Sequence, residues 1–258
     1  MRKIFQKGWR PGLVLILLFI IWEFATILFA IPKWLLPAPT QVITEAINGW
    51  SVYASDLLAT SKLIITGFII GSGIGILVAI SLHLIPVLRE AFYPLLIVSQ
   101  NIPTIVLAPL LVIWFGFGML PKIIVIVLVC FFPITIALLD GFRQTNRDLM
   151  HYMQMAGASK QQIFRKLEWP HALPSLFSGL KISATYSVMG AVISEWLGAS
   201  EGIGVYMTLA SSSFRTDRVF VAIFFIIAGS LLFFAIIIAL EKLAIKWKRE
   251  GSNGNEST

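Results

Sequence analysis

Few side chains in this 258-residue chain are of types that do chemistry, because 57% of residues are hydrophobic and 13% charged. An ionisable group inside an apolar run is costly, so each one marks a solute path, a relay or a structural pair. Glu195, in "VISEWLG", could line an outer gate or hold the following turn "GASEGIG" by hydrogen bonds, and the structural role is the reading adopted. Ser99, Gln100 and Asn101 form a polar run that could present groups to a solute or equally patch a broken helix backbone. Glu23 sits in the first span, where pairing with a neighbouring helix is its expected role, and Asp140 has the spacing to meet Arg143 one turn on. His83, His151 and His171 lack metal-ligand spacing, so no metal site is expected. Cys130, the single cysteine, excludes an intrachain disulfide or a cysteine cluster. No nucleophile has a base beside it and no G-x-x-x-x-G-K-[ST] phosphate loop occurs, so neither an enzyme nor an ATP site is expected.

The elements that hold these groups are membrane spans. A mean hydropathy of +0.86 is far from that of soluble domains. The net charge of +7 orients a chain in a bilayer rather than binding nucleic acid, since the Lys and Arg residues sit between apolar runs. Six segments are long enough to cross a core of about 30 Å: Pro11 to Ile31, Ala59 to His83, Ala91 to Phe115, Pro121 to Phe142, Leu176 to Leu197 and Val219 to Ile245. The expected fold is all-α with six transmembrane helices. Residues 1–10 form a cytoplasmic N-terminus, 11–246 the membrane domain with a loop at 143–175, and 247–258 a disordered polar tail.

With both termini cytoplasmic, Arg2, Lys3, Lys7, Arg10, Arg89, Arg143, Arg147, Lys160, Arg165, Lys166, Lys181, Lys242, Lys246, Lys248 and Arg249 lie inside. Lys33, Lys62, Lys122, Arg215 and Arg218 remain outside, and this 15 to 5 split decides the orientation. The second span places Gly67, Gly71 and Gly75 on one face, a packing stripe that lets another backbone approach. Pro94, Pro103, Pro109, Pro121 and Pro133 predict kinks, with a break near Asn101 to Pro103.

The largest cytoplasmic feature contains "MAGASKQQIFRKLEWPHALPS", from Met155 to Ser175. Ser159 and Gln162 have capping-box spacing, so a short helix starts after Ser159. Ile163, Phe164 and Leu167 share one face, and Pro170 is expected to end the helix. Gly157 separates it from an earlier helical stretch, "RDLMHYMQMA". An amphipathic loop helix lies in the headgroup layer or docks into a groove of a soluble partner with Phe164 as an anchor. The residues alone lean slightly to the lipid surface.

A resemblance moves that balance. "GASKQQIFRKLEWPHALPSLFSGLKISATYSVMGAVISEWLGASEGIG" resembles the signature loop of the membrane subunits of ABC importers, matched at Gly157, Pro170, Pro174, Gly179 and Leu180. His151, Tyr152 and Met153 stand where the acidic-Ala-Ala stretch is usual, and Trp169 where Leu is usual. "LLPAPTQVI", "LAPLLVIWFGFGMLPKIIVIVLVCFFPI" and "SEWLGASEGIG" are similar to the nitrate, sulfonate and taurine branch, which includes thiamine-precursor carriers, and "SSSFRTDRVF" resembles the latter more than the sulfonate carriers.

The resemblance implies a type I importer permease in a bacterial inner membrane. It also implies a homodimer enclosing one path, a cytoplasmic ATPase dimer that uses ATP, and an extracytoplasmic solute-binding protein. It further implies a cytoplasmic coupling helix, within an ATPase-coupling loop that takes in Met153, Ala156, Gly157, Ala158, Ser159, Ile163, Phe164, Leu167, Pro170, Pro174 and Gly179. No cofactor is expected on this chain. The competing class is a stand-alone secondary transporter or channel, which would want mid-membrane carboxylates, and only Glu23 approaches that description.

Overall fold

The computed structural model describes residues 2–245, with side chains from Trp9 onward. Arg2, Lys3 and Lys7 as side chains, Lys246, Lys248 and Arg249, and the expected polar tail at 247–258 lie outside the described residues. All regular structure among the described residues is helical: α1 (Arg2–Leu28), α2 (Pro39–Asn48), α3 (Trp50–Leu84), α4 (Pro86–Ser99), α5 (Thr104–Phe115), α6 (Met119–Arg143), α7 (Arg147–Met155), α8 (Lys160–Ile163), a π-helical turn (Phe164–Glu168), α9 (Trp169–Glu195), α10 (Ile203–Ser212) and α11 (Thr216–Ala244).

Five helical stretches are long and apolar enough to cross a membrane: Trp9–Leu28, α3, α6, Lys160–Glu195 and α11. The expected third span is instead α4 and α5, bent by 100° at the break between them. Hydropathy sums both halves of such a pair into one apolar run, so the bend is invisible to it. Hydropathy also fails to mark the short helices α2 and α10, which are too brief to span.

The chain divides into two compact units. Among the described residues the larger holds 60–199 and 228–245, and α6 is its spine. Ile126, Cys130, Ile134 and Leu138, four residues apart, are fully buried. On one side of α6 the expected glycine stripe of α3 closes in: a Cβ at Gly67 would lie 2.6 Å from Ile126 and one at Gly71 2.9 Å from Cys130. On the other side lies α9, where Ser183 donates a 2.9 Å hydrogen bond to the Cys130 carbonyl and Gly179 meets the Pro133 carbonyl. Thr135 donates to the Gly75 carbonyl at 3.1 Å. Without a hydrophobic drive between helices in lipid, close backbones and such hydroxyl bonds supply the cohesion.

The smaller unit holds, among the described residues, 2–59 and 200–227. Tyr53 is fully buried, with Tyr206 and Phe225 at ring distances of 5.6 and 5.1 Å. Glu23, expected to pair with another helix, accepts from the backbone amide (3.0 Å) and hydroxyl (2.8 Å) of Thr40. It thereby caps α2, whose own N-cap residue, Ala38, has no side chain to do so. Glu45 accepts from Arg218 at 2.8 Å and pairs with Arg215 at 3.1 Å, fastening α2 to the segment that leads into α11.

Candidate functional site: the loop between α6 and α9

The loop begins where α6 ends at Arg143, which pairs with Asp140 at 3.8 Å as their spacing predicts. Asn146 then caps α7, accepting from the amides of Asp148 and Leu149 at 2.8 and 3.2 Å. The helix stops at a Schellman turn: Gly157 takes φ +78°, the Ala158 amide reaches the Met153 carbonyl at 2.9 Å, and the Gly157 amide reaches Gln154 at 3.0 Å. The capping box follows, with Gln162 returning to the Ser159 amide at 2.8 Å and Ser159 accepting from the Gln162 amide at 3.3 Å. The turns at Asn146, Gly157 and Ser159 are therefore each closed by hydrogen bonds among the loop's own residues, which defines a hairpin of helices.

Beyond α8 the structure departs from the sequence reading. Pro170 does not end the helix: one helical path runs from Lys160 to Glu195, through both Pro170 and Pro174. The π-helical turn at Phe164–Glu168 makes this possible, because the Trp169 amide bonds back five residues to the Phe164 carbonyl and widens the helix just ahead of the proline. At 36 residues the path is roughly 54 Å long at 1.5 Å per residue. The hydrocarbon core spans only about 30 Å. α3, with 35 residues, overruns it similarly.

The apolar face of the second helix also turns inward. Ile163 is buried, and Phe164 and Leu167 are half-buried. Phe164 packs on Phe142 and Trp169, with ring centroids 5.7 and 6.2 Å away. Part of its ring, expected as an outward anchor, is thus taken up by contacts within the chain. The outward apolar stripe is on α7, where Leu149, Tyr152 and Met155 recur every three residues, Met155 at 82% exposure. Met153 and Ala158 are half-buried, Ala156, Gly157 and Ser159 are exposed, and Pro170 and Pro174 are half-buried. Gly179, grouped with the loop by resemblance, lies nearly three turns along α9 in the seam with α6.

The polar residues of the spans are placed as follows. Ser99 donates to the Leu96 carbonyl at 3.1 Å and Asn101 Nδ2 to the Ile97 carbonyl at 2.7 Å, while Gln100 is exposed. Two of the three thus serve the backbone at the bend between α4 and α5. Glu195 is 2% exposed and accepts a 2.6 Å hydrogen bond from Thr60.

Residues 71–246 match the family described as binding-protein-dependent transport system inner membrane component. The chain belongs to that family. It is 37% identical to the formylaminopyrimidine transport permease protein ThiX of Halalkalibacterium halodurans, over 93% of this chain and 96% of that one. It is 32% identical to the riboflavin transport system permease protein RibX of Chloroflexus aurantiacus, over 91% and 88% of the two chains. With the taurine transport system permease protein TauC of Escherichia coli the identity is 28%, over 93% and 89%.

This permease is accordingly a multi-pass inner-membrane protein and a non-catalytic subunit of a transport system. The family match takes in the whole loop and α9. The position of Glu168 within the π-helical turn, and its partner, carry no sequence signal, because the residue it meets is 85 positions away.

Proposed function

We propose that the permease forms the solute path of an ATP-driven importer and couples to a separate cytoplasmic ATPase through α7 and the turn at Gly157. The observation that carries this reading is the exposed Leu149, Tyr152 and Met155 stripe, presented on a helix whose two ends are both locked by caps. An apolar helix face offered on a rigid stem suits a groove in a soluble partner. Met153, Ala156, Gly157, Ala158 and Ser159 form the rim of that contact. Ile163, Phe164, Leu167, Pro170 and Pro174 form the stem that joins it to α9. ATP is used by the partner, and this chain carries no cofactor.

Two copies of the chain would enclose one path, with both termini cytoplasmic and an extracytoplasmic binding protein delivering the solute. The solute is a small organic or anionic molecule of the thiamine-precursor, sulfonate, taurine or nitrate type. A formylaminopyrimidine is the first to try, given the 37% identity to a permease of that name. Of the path or gate candidates Ser99, Gln100, Asn101 and Glu195, we assign Glu195 a structural role and Ser99 and Asn101 to the backbone at the bend, which leaves Gln100, exposed there, as the path residue. The stand-alone secondary transporter is not favoured, because Glu23, its best coupling carboxylate, is engaged in capping α2. The test is co-purification of the ATPase with Tyr152→Asp and Met155→Asp. Loss of the ATPase from membrane-inserted protein is expected, and retention at full yield would return the loop to the lipid surface.

A further inference from the structure

At the root of the loop, His83 and Glu168 meet with Nε2 and Oε2 3.0 Å apart and side-chain exposures of 17% and 12%. His83 closes the last turn of α3, and Glu168 closes the π-helical turn. The imidazole lies flat on Phe142, near the end of α6, with centroids 4.3 Å apart and planes at 21°. Phe164 flanks the imidazole at 6.1 Å, and Trp169 lies 6.3 Å from Phe142. One polar contact inside an aromatic box therefore joins three elements: α3, α6 and the stem of the loop.

A polar pair withdrawn from water adds little net stability, yet leaving either member unpartnered is costly. Such a contact selects one relative placement of the elements it joins. Here one side of it is the stem that carries α7, fixed through the Schellman turn and capping box. The other is the end of α3, whose glycine face meshes with α6 along the membrane. Packed interfaces transmit displacement as whole-body shifts. We propose that the His83–Glu168 pair is the tie through which displacement of α7 reaches α3, making both of them positioning residues for coupled transport. This rests on the reading of α7 as the ATPase contact.

The test uses the assembled complex of permease, ATPase and binding protein in proteoliposomes, with a formylaminopyrimidine as probe, measuring solute taken up per ATP hydrolysed. His83→Phe keeps the stacking and removes the nitrogen, while His83→Gln puts an amide donor where Nε2 lay. His83→Phe and Glu168→Met should assemble and hydrolyse ATP but lose about tenfold in solute per ATP, the scale of one buried hydrogen bond. His83→Gln should stay close to wild type. An unchanged ratio in His83→Phe, with wild-type uptake intact, would sink the tie alone. So would a parallel loss of uptake and hydrolysis in His83→Phe and His83→Gln alike, which marks a merely structural pair. Wild-type complex that hydrolyses no ATP would instead refute the importer reading on which the tie depends.

Discussion

Thr60 Oγ1 donates to Glu195 Oε1 at 2.6 Å, joining α3 to the last residue of α9 across 135 positions of sequence. Because Glu195 is buried, this hydrogen bond fixes where α9 stops and where the turn beyond it starts. Thr60→Val should therefore cost about 1–3 kcal/mol of stability, read as a lower midpoint of thermal unfolding in detergent. A Glu195→Gln variant keeps an acceptor and should transport nearly as well as wild type. Stable Glu195→Gln assembly with transport abolished would make Glu195 a gate residue instead.

The glycine stripe gives a second expectation. A Cβ at Gly71 would fall 2.9 Å from Cys130 and 3.1 Å from the backbone of Val127, so Gly71→Val must push α3 off α6 at a cost of about 1–3 kcal/mol or more. Gly73 has nothing within 4 Å, and Gly73→Val should leave the unfolding midpoint near that of wild type. Equal effects at the two positions would contradict the α3–α6 seam.

Gly157 tests the loop turn without adding charge. Its φ of +78° suits glycine, and a β-branched residue there is a strong outlier. Gly157→Val should leave the spans inserted but release the ATPase in co-purification, whereas Gly157→Asn, which tolerates that conformation, should retain it. Retention with both would separate the turn from docking.

Topology can be read by labelling single cysteines in intact cells on a Cys130→Ala background. Ser212 is exposed and should label from outside. Ser175 is a poor inner probe because its Cβ faces Gly141 and packing alone would spare it. Met155, at 82% exposure, is the better one and should label only after the membrane is opened. Labelling of Met155→Cys in intact cells would reverse the orientation drawn from the basic residues.

How far the sequence reached depends on the range of each signal. Capping at Ser159 and Gln162, the Gly157 turn, the break at Asn101 to Pro103 and the glycine face of α3 all follow from residues within about one or two helical turns, and all four are present. Periodicity grouped Ile163, Phe164 and Leu167 on one face but could not say whether that face met a partner or its own chain. The proline rule failed at Pro170 because a π-helical turn, with no compositional mark, makes room for the ring. His83 with Glu168, and Glu23 with Thr40, are long-range pairs of common residue types, and no single sequence reveals such pairs.

ATP used on a partner subunit is the proposed drive for transport through this permease. Its most direct measurement is uptake of a labelled formylaminopyrimidine into proteoliposomes, first with the permease alone under an imposed proton or sodium gradient, then with ATPase, binding protein and ATP. The expected result is no uptake and no ATP hydrolysis by the permease alone, and uptake with stimulated hydrolysis once the partners are present. Gradient-driven uptake by the isolated permease would contradict it.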